Sequence, residues 1–201
     1  SRVIIWGNAD KNEAIELSAD FMKTKKNAIA DLQGKWKIEI VTPAFGGPYS
    51  ITFKGKNEIK INDVYLGDVW LASGQSNMEF FLDSISKGYS GVVNKESEIK
   101  NSNLPLIRQF DIKNNFATQR QDDLTGDWSV CSPQNAGKFS AVAYFFAKKL
   151  HTELNIPIGI INATWGGTIT SSWVRDKEWE QFKNTYKDYK PASTKSEKFN
   201  Q

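Results

Sequence analysis

The amino-acid sequence predicts an α/β fold in two parts: a small antiparallel β-sandwich module over residues 1–66 and a parallel-sheet domain over residues 67–201. In the first part, apolar and polar residues alternate, and turn residues recur at intervals of roughly 8–12 positions, which is typical of a sandwich. In the second part, nearly unbroken apolar runs alternate with a helical pattern, as in parallel sheets whose strands are joined by helices.

Five strands are predicted in the first part, bounded by turn residues such as Gly34, Gly47 and Gly55. The first is a short apolar run at residues 3–6. In the others, apolar side chains recur at every second position and therefore lie on one face of the strand. These apolar positions are Ile15 and Leu17; Trp36, Ile38 and Ile40; Tyr49, Ile51 and Phe53; and Ile59 and Ile61.

The second part begins with an apolar run over residues 68–73, which we interpret as a buried strand. Residues 105–111 predict another strand, and residues 158–163 form the kind of apolar run that a parallel sheet buries on both faces. Polar residues dominate the stretches 83–103 and 112–139, which we expect to be mostly surface loop.

A helix is predicted to begin after Ser140, its N-cap, and to end near Leu154. Apolar residues at three- and four-residue spacing predict one apolar face, made of Val142, Phe145, Phe146, Leu150 and Leu154. Beyond Phe182 the chain is polar and rich in lysine, so we expect a mobile end.

Ser76 is the candidate nucleophile. It follows Gly74, which permits a sharp turn after the strand, and it would lie near the start of a helix. Unpaired backbone N–H groups at that position can stabilise the oxyanion that forms when a serine attacks an ester. The same position also suits a serine that only caps a helix. An α/β-hydrolase elbow is not indicated, because Met78 stands where its motif has glycine.

Gly166 and Gly167 come shortly after the predicted strand at residues 158–163. Glycines at the end of a buried strand permit a close approach of the backbone to another group, here an oxyanion. The alternative is a tight turn before a helix capped near Thr170 or Ser171.

The run Ser-Gly-Gln-Ser-Asn-Met at residues 73–78 and the Gly-Gly-Thr at residues 166–168 resemble two sequence blocks of the SGNH (GDSL-like) esterases. The resemblance is to the branch that includes sialate O-acetylesterases and related acetylxylan esterases, and it implies an SGNH-like parallel sheet preceded by a β module. It also implies that Ser76 is the nucleophile. The oxyanion hole would consist of the Ser76 N–H and that of Gly166 or, as second choice, Gly167. The residues flanking the serine, Gln75 and Asn77, are candidates for minor substrate contacts.

The general base that such an enzyme needs is not evident. The sole histidine, His151, lies off the predicted apolar face of its helix, so we expect it to be solvated rather than catalytic. In the family the base lies in an Asp-x-x-His or Asp-x-His motif near the C-terminus, and this sequence has neither. We therefore expect the chain to be the front portion of an incomplete esterase domain, with the remaining C-terminal part of that domain as its partner.

Composition argues against several other classes of protein. The net charge is +3 and no basic block is interleaved with aromatic residues, so nucleic-acid binding is not indicated. No apolar run reaches the ~18 residues of a transmembrane helix, and no membrane partner is expected. The single cysteine, Cys131, rules out an internal disulfide framework and a multi-cysteine zinc site. No metal or organic cofactor is implied.

The residues and the resemblance together predict a carbohydrate O-acetylesterase, similar to sialate 9-O-acetylesterases, in which Ser76 forms an acetyl-enzyme. The substrate would be an acetylated carbohydrate. The resemblance also implies an extracytoplasmic location, either periplasmic or secreted. Two alternatives stay open: an acetylxylan esterase, or a non-catalytic carbohydrate-binding or interaction module.

Overall fold

The computed structural model describes residues 1–85, 90–117, 121–174 and 176–185. Within them it contains ten β-strands and four α-helices, so the predicted mixed α/β fold is confirmed. The strands are β1 (Arg2–Asn8), β2 (Ala14–Ala19), β3 (Lys26–Ile29), β4 (Lys35–Val41), β5 (Gly46–Lys54), β6 (Glu58–Leu66), β7 (Asp68–Gly74), β8 (Leu104–Ile112), β9 (Gly126–Cys131) and β10 (Ile158–Thr164). The helices are α1 (Ser76–Glu79), α2 (Lys95–Lys100), α3 (Ala141–Leu154) and α4 (Asp176–Thr185). The mobile end predicted beyond Phe182 begins within α4, which runs to Thr185, and its remainder, residues 186–201, lies outside the described residues.

The chain divides into two compact units. The first comprises Ser1–Trp70, Leu104–Arg108 and Phe146–Ile160, and the second comprises Leu71–Asn103, Gln109–Phe145 and Ile161–Gln201. The predicted domain boundary after residue 66 stays a prediction.

The first unit contains two antiparallel sheets, β1-β4 and β3-β2-β5-β6. Both sheets contribute to one buried cluster, made of Leu17, Ile38, Ile40 and Ile51. These are positions at which the alternation predicted an apolar face, so the pattern identified both the strands and their inward sides. Ile59 and Ile61 of β6 differ, because their strand is present but their side chains are exposed.

The third sheet has the strand order β7-β10-β8-β9. At the start of β7 the Asp68 N–H donates to the Pro157 carbonyl at 3.1 Å, and at its end the Gly74 carbonyl accepts from the Trp165 N–H at 3.0 Å. Since Pro157 and Trp165 flank β10, the two strands begin next to each other and end next to each other. The segments that follow them, one of which begins at Gln75, therefore lie side by side.

β7 is a strand, as predicted, but the prediction that its apolar run is buried is wrong. Val69, Trp70 and Leu71 are 61%, 44% and 67% exposed, whereas Ala72 is buried. Among the strands that the structure describes, β7 comes first in the order of its sheet and has one neighbour, so fewer side chains pack against it than against a central strand. Trp70 nevertheless packs edge-on against Phe146, with the ring centroids 5.0 Å apart.

The helix predicted after Ser140 is present as α3, but its predicted apolar face is wrong. Four of the five side chains expected to face the core are exposed: Val142, Phe145, Phe146 and Leu154. The buried side of the helix consists of Ala141, Ala143, Tyr144 and Ala147. Small alanine side chains let this side pack closely, and the buried Tyr144 hydroxyl donates to the Glu98 carboxylate at 3.2 Å. Both sides of α3 are apolar in sequence, so periodicity alone could not distinguish them.

Candidate active site

Ser76 lies at the turn between β7 and the short helix α1, of which it is the first residue. Gly74 ends the strand with a φ of +151°, a conformation that favours glycine. A Cβ at this position would also lie 3.3 Å from the Met78 Cβ, a tight contact. Gly74 therefore allows the chain to pass from strand to helix across one intervening residue, Gln75.

The Ser76 hydroxyl has two hydrogen-bond partners among the described residues. Its Oγ donates to Gln75 Oε1 at 3.0 Å and accepts from the Gly167 N–H at 3.3 Å. The second bond joins residues 91 positions apart. The fold thus brings the Gln-Ser-Asn run and the Gly-Gly-Thr run, which the sequence singled out separately, into one site.

The two glycines of the turn after β10 point their N–H groups in different directions. Gly167 has a φ of +82°, and an added Cβ would meet nothing within 4 Å, so the backbone conformation rather than crowding favours glycine there. The Gly166 N–H does not face Ser76 but donates to Glu79 Oε2 at 3.0 Å. The geometry favours Gly167 over Gly166 as an oxyanion donor, the reverse of the order expected from the sequence. The role of either glycine stays a prediction.

Glu79 is a residue of the site that sequence reasoning missed. It is the last residue of α1, three positions after Ser76, and this spacing places both side chains on the same side of the helix. Its carboxylate accepts from the Gly166 N–H and so fixes the glycine turn beside the serine. The signal in the sequence is an acidic residue one helical turn after a candidate nucleophile.

Thr168 forms hydrogen bonds that stabilise the same turn. Its hydroxyl donates to the Trp165 carbonyl at 2.7 Å and accepts from Trp173 Nε1 at 2.8 Å. Trp165 is itself tied to β7, because its N–H donates to the Gly74 carbonyl at 3.0 Å. Hydrogen bonds of this kind limit how far the turn can move relative to the end of β7.

Polar side chains near the ends of β8 and β10 form a hydrogen-bonded network in the second unit. Asp111 Oδ1 accepts from Gln109 Nε2 at 2.8 Å and from Asn162 Nδ2 at 2.9 Å. Asn162 Oδ1 accepts from the Thr164 hydroxyl at 3.2 Å. Burial raises the pKa of Asp111 above its ordinary value, although the hydrogen bonds from Asn162 and Gln109 partly oppose the shift. The network anchors the end of β10, from which the glycine turn emerges.

Ser140 connects α1 with the start of α3. Its hydroxyl donates to the Met78 carbonyl at 2.6 Å and accepts from the Ala143 N–H at 3.2 Å, so the predicted N-cap is confirmed. Its own N–H donates to Gln109 Oε1 at 3.3 Å. One buried serine thus caps a helix and fixes the segment after Ser76.

His151 is not the fully solvated residue that the sequence predicted. Its Nδ1 lies 2.8 Å from the Ile156 carbonyl, and the side chain is half-buried, one turn after Ala147. The wrong choice of helix face accounts for the difference. Gln75 and Asn77 are both exposed, and their predicted substrate contacts stay predictions.

Within the described ranges, no group of three or more His, Cys, Asp and Glu side chains is arranged to hold a metal ion. None of the helices in those ranges has the length and hydropathy needed to span a membrane.

Comparison with known proteins gives consistent matches. The family described as carbohydrate esterase, sialic acid-specific acetylesterase, matches residues 66–199. The sialate O-acetylesterase of Mus musculus is 28% identical over 86% of this chain and 34% of its own length, and that of Homo sapiens is 27% identical over 85% and 35%. The crystal structure of a carbohydrate acetylesterase from Xanthomonas citri is similar with a TM-score of 0.80 and 38% identity, covering 90% of this chain and 40% of that one. The chain thus spans about a third of the length of the curated relatives it matches.

Proposed function

Because the chain belongs to the carbohydrate esterase family of sialic acid-specific acetylesterases, we propose that it carries the serine nucleophile and part of the oxyanion hole of a carbohydrate O-acetylesterase. Its substrates would be acetylated carbohydrates such as 9-O-acetylated sialic acids. The observation that carries the proposal is the 3.3 Å hydrogen bond from the Gly167 N–H to Ser76 Oγ, which joins the two motifs in one site.

In the proposed reaction, Ser76 Oγ attacks the carbonyl carbon of the acetyl group while its proton passes to a general base. The carbonyl oxygen becomes an oxyanion, which accepts hydrogen bonds from the N–H groups of Ser76 and Gly167. When this intermediate collapses, the ester bond breaks, the sugar oxygen takes up the proton, and the acetyl group stays on Ser76. Water then attacks the acetyl-enzyme, which releases acetate and restores the serine.

Glu79 has a positioning role in this proposal. Because its carboxylate already accepts the Gly166 N–H, we assign the oxyanion to Gly167 rather than to Gly166. Holding Gly166 in place keeps the next N–H directed at Ser76. Preorganised donors stabilise a developing charge without having to reorient during the reaction.

The general base of this proposal lies outside the 201 residues. Their sole histidine, His151, is held by the Ile156 carbonyl, and the hydrogen-bond partners of Ser76 in the described residues are Gln75 and Gly167. The relatives are about three times as long as the part of them that the chain matches. We propose that a further part of the esterase domain supplies the base, and that the complete enzyme acts outside the cytoplasm.

The proposal extends to two details of the fold. The third sheet would be the parallel sheet of an SGNH hydrolase, which is supported by the hydrogen bonds at both ends of β7 and β10. The first two sheets would form the β-sandwich module, which is supported by the buried cluster they share.

Chemical rescue tests the proposed function on the chain itself. A general base contributes about 10²–10⁴-fold to such reactions, so the chain alone should hydrolyse an activated acetyl ester barely above background. Imidazole added to the solution should replace the missing base and raise the rate in proportion to the protein concentration. Ser76→Ala should abolish this protein-dependent increment. No increment, or one that survives Ser76→Ala, would instead favour a non-catalytic carbohydrate-binding module.

A further inference from the structure

A cavity of about 580 Å³ opens beside the glycine turn in the second unit. Two tryptophans, Trp165 and Trp173, contribute to its lining together with the apolar side chains of Ile112 and Leu124. Residues with side-chain amides, among them Asn115, also line it and carry groups that can form hydrogen bonds. Its volume lies within the roughly 300–1,000 Å³ range of sites that bind small organic ligands.

The lining is tied directly to the candidate nucleophile. Trp165 donates its N–H to the Gly74 carbonyl, two residues before Ser76. Trp173 donates its indole N–H to the Thr168 hydroxyl, and the neighbouring Gly167 donates to Ser76 Oγ. The same turn therefore carries the proposed oxyanion donor and positions both indoles.

The chemistry of the lining suits a sugar ring. A pyranose presents C–H groups on its faces, which pack against an indole, and hydroxyl groups around its rim, which pair with amides. The charged residues of the lining are Lys113 and Asp123, one of each sign, and Lys113 is paired with Asp127 at 3.2 Å. Recognition would therefore depend on the ring and its hydroxyls rather than on a strong charge.

We infer that this cavity binds the pyranose unit of the acetylated substrate, with Trp173 packing on the ring and Asn115 bonding its hydroxyls. The inference rests on the proposed function for its choice of ligand. It concerns binding, however, and a binding measurement can fail or succeed independently of the serine chemistry.

Isothermal titration calorimetry on the 201-residue chain tests the inference with two probes, an acetylated xylo-oligosaccharide and a 9-O-acetylated sialic acid. Saturable binding of either probe is expected. The probe that binds shows whether the pyranose in the cavity belongs to a xylan or to a sialic acid. Trp173→Ala should weaken binding about tenfold, the effect expected for the loss of one aromatic contact. Trp173→Phe should retain part of the affinity, and Asn115→Ala should weaken binding without removing any aromatic residue.

One variant serves as a control. Trp6→Ala removes a tryptophan that is 67% exposed on β1, and it should leave affinity unchanged. Absence of binding for both sugars, or equal losses in Trp6→Ala and Trp173→Ala, would overturn the inference. If Ser76 proves unreactive but Trp173→Ala and Asn115→Ala weaken sugar binding as expected, the assignment of the cavity is supported and the serine mechanism is contradicted.

Discussion

At the scale of single residues, the site depends on the conformation of Gly74. Its φ of +151° directs the chain from β7 into α1, and an added Cβ would crowd Met78. Any other residue there must adopt a strained backbone conformation or shift the segment that carries Ser76.

Gly74→Ala should therefore lower the free energy of unfolding by about 1–3 kcal/mol, the usual cost of such strain. Urea denaturation measures the change. Gly137→Ala is the matched control, because its added Cβ meets Asp83 Cβ at a similar 3.1 Å while its φ lies outside the range that favours glycine. If Gly74→Ala and Gly137→Ala lower the free energy of unfolding equally, the effect is due to crowding rather than to backbone strain.

Glu79 offers a second test at this scale. Glu79→Ala releases the Gly166 N–H and should lower the imidazole-dependent esterase rate about tenfold, because the oxyanion donor is then less well positioned. Glu79→Gln keeps an oxygen that can accept the same N–H and should retain most of the rate. If both variants lose activity equally, the charge of Glu79 and not its hydrogen bond is what matters.

At the scale of secondary structure, the sequence predicted the positions of the strands better than it predicted which side chains and N–H groups face the interior or the site. Alternation identified Leu17 and Ile38 as inward-facing, and a serine just before a helical pattern identified Ser140 as a cap. Both signals depend on local geometry. Periodicity could not identify the buried side of α3, because the alanines and Tyr144 on one face, and Phe145 and Phe146 on the other, all fit an apolar face. Nor could it rank Gly166 and Gly167, because the direction of a peptide N–H depends on backbone angles and on the partner Glu79.

The packing of the two antiparallel sheets of the first unit can be tested with a pair of leucines. Leu17 is fully buried in the shared cluster, so Leu17→Ala should cost about 2–5 kcal/mol through lost burial and the cavity left behind. Leu32 is 65% exposed, and Leu32→Ala should change stability by less than about 0.5 kcal/mol. Denaturant midpoints measure both changes, and a small effect of Leu17→Ala would contradict the shared core.

At the scale of the whole molecule, Asp111 makes stability depend on pH. Burial raises its pKa in the folded chain above the ordinary 3.8, so the folded state holds this proton more tightly than the unfolded state does. The resulting stabilisation is fully present below pH 3.8 and is lost as the pH rises through the higher folded value.

Asp111→Asn should remove this contribution, so the difference in melting temperature between variant and wild type should change across that pH window and level off above it. The exposed Asp122 provides the matched control, and Asp122→Asn should leave the pH profile of the wild type in place. If Asp111→Asn leaves the dependence of melting temperature on pH unaltered, the hydrogen bonds from Asn162 and Gln109 offset the effect of burial on the Asp111 pKa.

Peptide mapping after exposure to an activated acetyl ester tests whether Ser76 and the Gly166-Gly167 turn form one nucleophilic site. If the general base lies outside these residues, as we propose, an acetyl group transferred to the serine should persist long enough to be located by mass spectrometry. We expect acetylation of Ser76 well ahead of Ser73, which is exposed in the same segment, and no such label in Ser76→Ala. Equal labelling of Ser73 and Ser76, or acetyl groups on lysines alone, would show that Ser76 does not lie in a nucleophilic site.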